Sequence, residues 1–156
     1  MVFNLQSGGG FEVWQHKERK PQYRDKETLA GDLGIFSCKM KVKDANAAYK
    51  HFVSKGIKTL GEPVADQKGK KTFFVSEPFG NIFQFVEATD WLMNLGMVNG
   101  GSYGAVIGVS DIEKARKTYS DILGYDTVIY DVTGKFDDFA SLPGGDGTFR
   151  RVSLGR

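Results

Sequence analysis

The chain has 156 residues, 40% of them hydrophobic and 26% charged, the balance of a globular protein that can bury a core rather than of a disordered tail. Twenty-one Lys and Arg against 19 Asp and Glu leave a net charge of +2, which excludes attachment to nucleic acid by bulk charge alone. A single cysteine, Cys38, excludes an intrachain disulfide and a cysteine-rich zinc site, and no apolar run approaches the roughly 20 residues of a membrane helix. The start, Met1 to Gly8, shows no leader pattern, so a soluble cytoplasmic protein is expected.

In chain order, Gly8-Gly9-Gly10 reads as a turn and Phe11 to Gln15 as a strand. Period 2 sets Phe11 and Val13 on one face and Glu12 and Trp14 on the other. Residues 16–34 are polar, carry Pro21 and lack a period, which predicts a linker. Its basic stretch (Lys17, Arg19, Lys20, Arg24 and Lys26) is interrupted by Glu18 and Asp25 and reads as solvated.

Residues 35–43 read as a strand with Cys38, Met40 and Val42 on one face and Ser37, Lys39 and Lys41 on the other. Asp44 suits an N-cap. Ala45, Ala48, Tyr49, Phe52 and Val53 form a helical stripe that Gly56 ends. Strands are predicted over 57–64, 71–75 and 82–87, with a turn at Glu77 to Asn81. Residues 89–101 read as a second linker.

The same order then restarts. Tyr103 to Val109 is a strand, and Ser110 with Glu113 reads as a capping box. Ile112, Ala115, Tyr119, Ile122 and Leu123 make a stripe stopped by Gly124. A strand follows over 127–132, with shorter ones around Phe139 and over 149–154.

An internal repeat underlies this order. Phe36 to Glu62 aligns with Tyr103 to Ile129, placing Asp44 on Asp111 and Phe52 on Tyr119. A second match joins Gly8 to Val13 with Gly80 to Phe85. The expected organisation is a complete βαβββ module at 35–88, the first β-α-β-β elements of another at 102–156, and the last strand of a module at 1–15.

These motifs, Val42-Lys43-Asp44 before a helix, Glu77-Pro78-Phe79-Gly80-Asn81, and Val109-Ser110-Asp111 before Tyr119 to Gly124, resemble the vicinal oxygen chelate superfamily. That superfamily includes glyoxalases, bleomycin resistance proteins and extradiol dioxygenases. The resemblance implies an α+β fold whose paired βαβββ modules roll a mixed sheet into a cup holding a small molecule. The module order here is permuted or fragmentary, and residues 11–15 are expected to complete the sheet begun at residue 103, within one chain or in a swapped homodimer.

The resemblance also implies divalent-metal ligands on each first strand, seven residues before the Asp, and on each last strand, four after the turn glycine. Those positions are Ser37, Gly104, Gln84 and Glu12. Only Glu12 is a usual ligand, so the expectation is no cofactor, with a divalent metal on Glu12 as the alternative. Glu12 is otherwise a solvated strand residue. Lys39 and Lys41 suit a small anionic ligand or, alternatively, a solvated face. Trp14 would stack on a ligand or pack between modules. His16 and His51 read as exposed, Cys38 as core, and Arg150-Arg151 as solvated or interfacial.

The functional expectation is therefore a glyoxalase/bleomycin-resistance/dioxygenase-like protein, a lyase or dioxygenase relative without the full ligand set. A non-catalytic binding or sequestering module, or a fragment of a longer multi-module protein, is the alternative. No nucleic-acid or membrane partner is expected.

Overall fold

Alternating apolar strands place a five-stranded mixed sheet at the centre of the protein, here a computed structural model describing residues 2–22 and 25–156. Arg24 of the basic stretch lies outside the described residues. In chain order the elements are β1 (Val2–Phe3), β2 (Gly10–Phe11), β3 (Gly34–Val42), α1 (Ala45–Ser54), β4 (Thr59–Ala65), β5 (Lys71–Ser76) and β6 (Ile82–Glu87). Then come β7 (Asn99–Gly108), α2 (Ile112–Leu123), β8 (Thr127–Gly134) and β9 (Phe149–Gly155). The sheet runs β4-β5-β6-β3-β7, with β3 and β6 parallel and the other neighbours antiparallel. Separate antiparallel pairs are formed by β1 with β2 and by β8 with β9. The architecture is α+β, with two α-helices.

α1 begins where Asp44 accepts a hydrogen bond from the Ala47 N–H at 2.9 Å. Glu87, at the end of β6, accepts from the Ala45 N–H at 3.0 Å and so ties the helix start to the sheet. The helix stripe then buries Ala45, Ala48 and Phe52 on Met40, Val42, Phe73, Val75 and Phe85. Phe52 meets Phe85 edge-on at 4.8 Å, and Phe73 stacks on Phe85 at 5.3 Å. Each buried Phe contributes on the order of 1.5–3 kcal/mol through burial alone.

The opposite face is also covered. Phe36, Phe74 and Ile82 pack against Phe136, Phe139 and Leu142, which lie between β8 and β9. Burial on both faces explains the nearly unbroken apolar runs of β5 and β6.

The N-terminal segment departs from expectation. Gly8 and Gly9 take φ of +70° and +77°, and the chain folds back so that Gly10 and Phe11 pair with Phe3 and Val2. Gly10–Phe11 therefore joins β1 rather than the residue 103–109 strand. Phe11 packs edge-on against Phe83, 5.7 Å away, in the α1 core and not beneath α2. Beyond it the chain leaves the ladder, with Val13 81% and Trp14 85% exposed.

What anchors this segment is Gln6, 1% exposed. Its Nε2 donates to the Met97 and Asn99 carbonyls, and its Oε1 accepts from the Leu95 and Met97 N–H groups. The fold-back also brings the Gly8 carbonyl against Gly101, where a Cβ would lie 1.5 Å from the oxygen. Part of the predicted linker 89–101 is consequently strand, because β7 starts at Asn99.

Two smaller expectations change. The cap of α2 is Asp111, which accepts from the Lys114 N–H at 3.0 Å, and not Ser110. The carboxylate one residue later reaches the third helical N–H, freeing Glu113 to bind Arg150. The segment around Phe139 is a 3-10 turn, Asp137–Phe139, with Phe139 buried, rather than a strand. Among the described residues no helix is long and apolar enough to cross a membrane.

Candidate functional site

The chemically distinctive residues collect on the sheet face opposite α1. Parallel pairing of β3 with β6 sets Lys39 beside Gln84, and Ser37 lies two residues earlier on the same face. β7 contributes Gly104 opposite Lys39 and Val106 opposite Ser37. No atom lies within 4 Å of where a Gly104 Cβ would stand, so a gap remains next to the lysine.

Three groups here lack partners. The Ser37 hydroxyl and the Gln84 side-chain carbonyl are buried and make no hydrogen bond with the described residues. Lys39 is half-buried and makes no hydrogen bond or ion pair with the described residues, and burial lowers its pKa. The Arg151 guanidinium lowers it further, while Asp66 and Asp138 act in the opposite direction. An unpaired buried acceptor ordinarily costs about 1–3 kcal/mol, so native proteins rarely leave two side by side.

β9 supplies the second cation. Arg151 forks onto Asp138, with Nη1 donating to Oδ1 at 2.7 Å and Nη2 to Oδ2 at 3.1 Å. Its guanidinium lies 4.4 Å from the Phe136 ring centre and 4.2 Å from that of Phe139. Asp138 is wholly buried in this clamp. Tyr130 on β8 adjoins it, and burial pushes its hydroxyl pKa up while Arg151 pulls it down.

Strand pairing thus sets Ser37, Lys39 and Gln84 on one face; Lys41 follows two residues after Lys39 but is engaged by Asp90, and the remaining expected site residues lie elsewhere. Lys41 bonds the Asp90 carbonyl at 2.9 Å and carboxylate at 2.5 Å, and lies 5.1 Å from the Tyr103 ring centre. Its hydrogen bond holds the Asp90 carboxyl below its ordinary range. Glu12 and Trp14 are exposed on the N-terminal segment, where the indole N–H donates to the Glu12 carboxylate at 3.2 Å. His16 and His51 are exposed, and burial raises the half-buried Cys38 thiol pKa.

Sequence reasoning assigned Arg150 and Arg151 to one role, but they diverge. Arg150 faces α2 and binds Asp131 and Glu113, whereas Arg151 faces the site. The signal was period 2 across Arg150-Arg151, which must send the two guanidinium groups to opposite faces. Nothing local pointed to Asp138.

The donor set decides what the face can hold. A hydroxyl, an amide oxygen and a lysine ammonium do not make a site for a catalytic divalent cation, which needs imidazole, thiolate or carboxylate ligands. Among the described residues no three His, Cys, Asp or Glu side chains converge on one point. The same set suits an organic anion: Lys39 can donate to a carboxylate, and Gln84 can accept from a neighbouring hydroxyl or amide. No family model, curated protein or solved structure matches the chain.

Proposed function

We propose that this chain is a small-molecule-binding relative of the vicinal oxygen chelate superfamily that holds an organic anion on the Lys39 face without a metal. Paired βαβββ modules shaping a cup are part of the proposal. It is supported by the strand-helix-strand-strand-strand run from β3 to β6 and by the position of β7 beside β3. The observation that carries the ligand reading is the unpartnered trio of Lys39, the Ser37 hydroxyl and the Gln84 carbonyl. Binding, rather than glyoxalase, lyase or dioxygenase chemistry, fits that trio better, because it offers no metal ligands.

The test is calorimetric titration with small hydroxy-, keto- and amino-carboxylates at low and high salt. At least one should bind, more weakly at high salt, and Lys39→Met should reduce affinity at least tenfold. Absence of binding across the panel, or binding unchanged in Lys39→Met, would overturn the reading.

A further inference from the structure

We propose, resting on the ligand reading above, that Gln84 recognises an amide in the bound molecule, so that the ligand is a small carboxylate that also carries a primary carboxamide or a lactam.

Gln84 is 1% exposed. Its side-chain oxygen is buried without a hydrogen-bond partner, and its amide nitrogen donates to none of the described residues. A primary amide offers two donors and an acceptor with two lone pairs. Holding such a group out of water with both ends unbonded costs stability unless something else supplies the bonds.

The row of residues through Gln84 shows how a ligand can lie. Phe74, Gln84, Lys39 and Gly104 stand in register across four strands on one face. Phe74, also 1% exposed, closes one end, with the Phe139 ring edge-on to it at 5.9 Å. Gly104 leaves the other end open, because nothing lies within 4 Å of where its Cβ would stand and β7 is the outermost strand of the sheet. A molecule entering over Gly104 passes Lys39 and ends against Gln84. Neighbouring strands are about 4.8 Å apart, so a carboxylate and an amide joined by a short spacer can meet the Lys39 ammonium and the Gln84 amide together. The Ser37 hydroxyl, two residues from Lys39 on the same face, adds a further donor on the carboxylate side.

The partner that satisfies a buried amide most fully is its own complement. The Gln84 NH2 group donates to a carbonyl while its oxygen accepts from an N–H, both in one plane. A primary carboxamide or a lactam presents that N–H and C=O side by side, whereas an ester, a lactone or a ketone presents the acceptor alone. A site with buried polar groups rejects an analogue that leaves them unpaired far more strongly than an apolar pocket rejects a change of size.

The test is calorimetric titration of the full chain with two matched pairs of carboxylates. One pair is pyroglutamate and its lactone counterpart, 5-oxotetrahydrofuran-2-carboxylate; the other is succinamate and monomethyl succinate. In at least one pair the amide member should bind at least tenfold more tightly than the ester member. Gln84→Met, which keeps the side chain's length and removes its polar atoms, should bring that pair within about twofold, whereas Lys39→Met should weaken both members alike. Gln84→Met should also raise the urea midpoint of the ligand-free chain, because it removes an unpaired buried amide. Amide and ester members that bind the parent equally would overturn the proposal and leave the Lys39 reading standing. So would discrimination that survives Gln84→Met, or a Gln84→Met chain less stable than the parent, which would mean that the amide is bonded where it stands. Failure of all four carboxylates to bind would overturn both readings.

Discussion

The two helices start from similar instructions and end in different surroundings. Each follows an Asp cap, each carries an apolar stripe, and each stops at a glycine in the left-handed region, Gly56 at φ +71° and Gly124 at +68°. α1 nevertheless buries three residues and α2 none. The difference lies in the sheet. α1 rests on strands that include β6, whose Phe83 and Phe85 fill the space beneath it, whereas among the described residues β7 has no paired strand on its outer side. A helix of this length draws most of its stability from the surface it packs on, so local sequence secures its ends and the neighbouring strands secure its value to the fold.

The sharpest way to break the comparison is to empty the two stripes. Phe85→Ala, which removes a ring touching both Phe52 and Phe73, should lower unfolding free energy by about 3–5 kcal/mol. Ile122→Ala on α2 should change it by no more than about 0.5 kcal/mol in the monomer. Urea denaturation of dilute protein checks both. Equal effects would mean that α2 is packed as firmly as α1.

The buried clamp should rank near the first substitution. Asp138→Ala leaves the Arg151 guanidinium without its fork, and losing one member of a buried pair costs about 3–5 kcal/mol. Arg150→Ala, on the exposed α2 side, should cost far less than Asp138→Ala despite three short bonds to Asp131 and Glu113, because solvent screens that pair. Thermal unfolding of the two variants separates the faces of β9 by energy.

Smaller again are the caps. Asp44→Ala and Asp111→Ala each remove one side-chain acceptor from a helix start, at about 1 kcal/mol apiece in helicity. Only the Asp44 loss should appear in full as global stability, because α1 is coupled to the core and α2 is not. Amide exchange should therefore show Asp111→Ala raising opening in residues 112–118 with little change in β5 or β6.

What could be read in advance was what is set locally. The strand at β3, the Asp44 cap and most of the α1 stripe depend on neighbours within a few residues and are where the pattern placed them, although Val53, read on the same stripe, is exposed and burial along β3 does not alternate. Residues 11–15 illustrate the limit: alternation gives a segment strand character but does not name its partner, and the Gly8-Gly9 turn sends the chain to β1 instead. Ser110 and Asp111 are both good caps one position apart, so composition alone could not choose. Gly100 and Gly101 read as linker because glycine disfavours strands in isolation; here both lie in β7, Gly101 against the Gly8 carbonyl and Gly100 against the Trp91 ring, Ser7 and Lys41. Of the site, the shared face of Ser37 and Lys39 was legible from period 2, whereas Gln84 was named only through the resemblance and meets Lys39 through a strand pairing that alternation does not specify. Asp138 was not, since its meeting with Arg151 depends on how the β8–β9 connection crosses the sheet.

The smallest effect sharpens the contrast between the two lysines of β3. Lys41 has a carboxylate partner in Asp90, while Lys39 has none and its pKa is lowered, first by burial and then by Arg151. The folded state therefore binds the Lys39 proton more weakly than the unfolded chain, whose value is near 10.5. Below the folded pKa both states are protonated and the full penalty is present. As pH rises from the folded value toward 10.5, the folded state sheds its proton first and the penalty is relieved. Lys39→Met should thus stabilise the protein at neutral pH, and its advantage over the parent should shrink as pH rises through that window. Lys41→Met, which strands Asp90 and loses its bonds, should instead destabilise at pH 7. Urea midpoints of the three proteins at pH 7 and pH 10 check the sign; a Lys39→Met variant less stable than the parent at pH 7 would mean that the ammonium is satisfied where it stands.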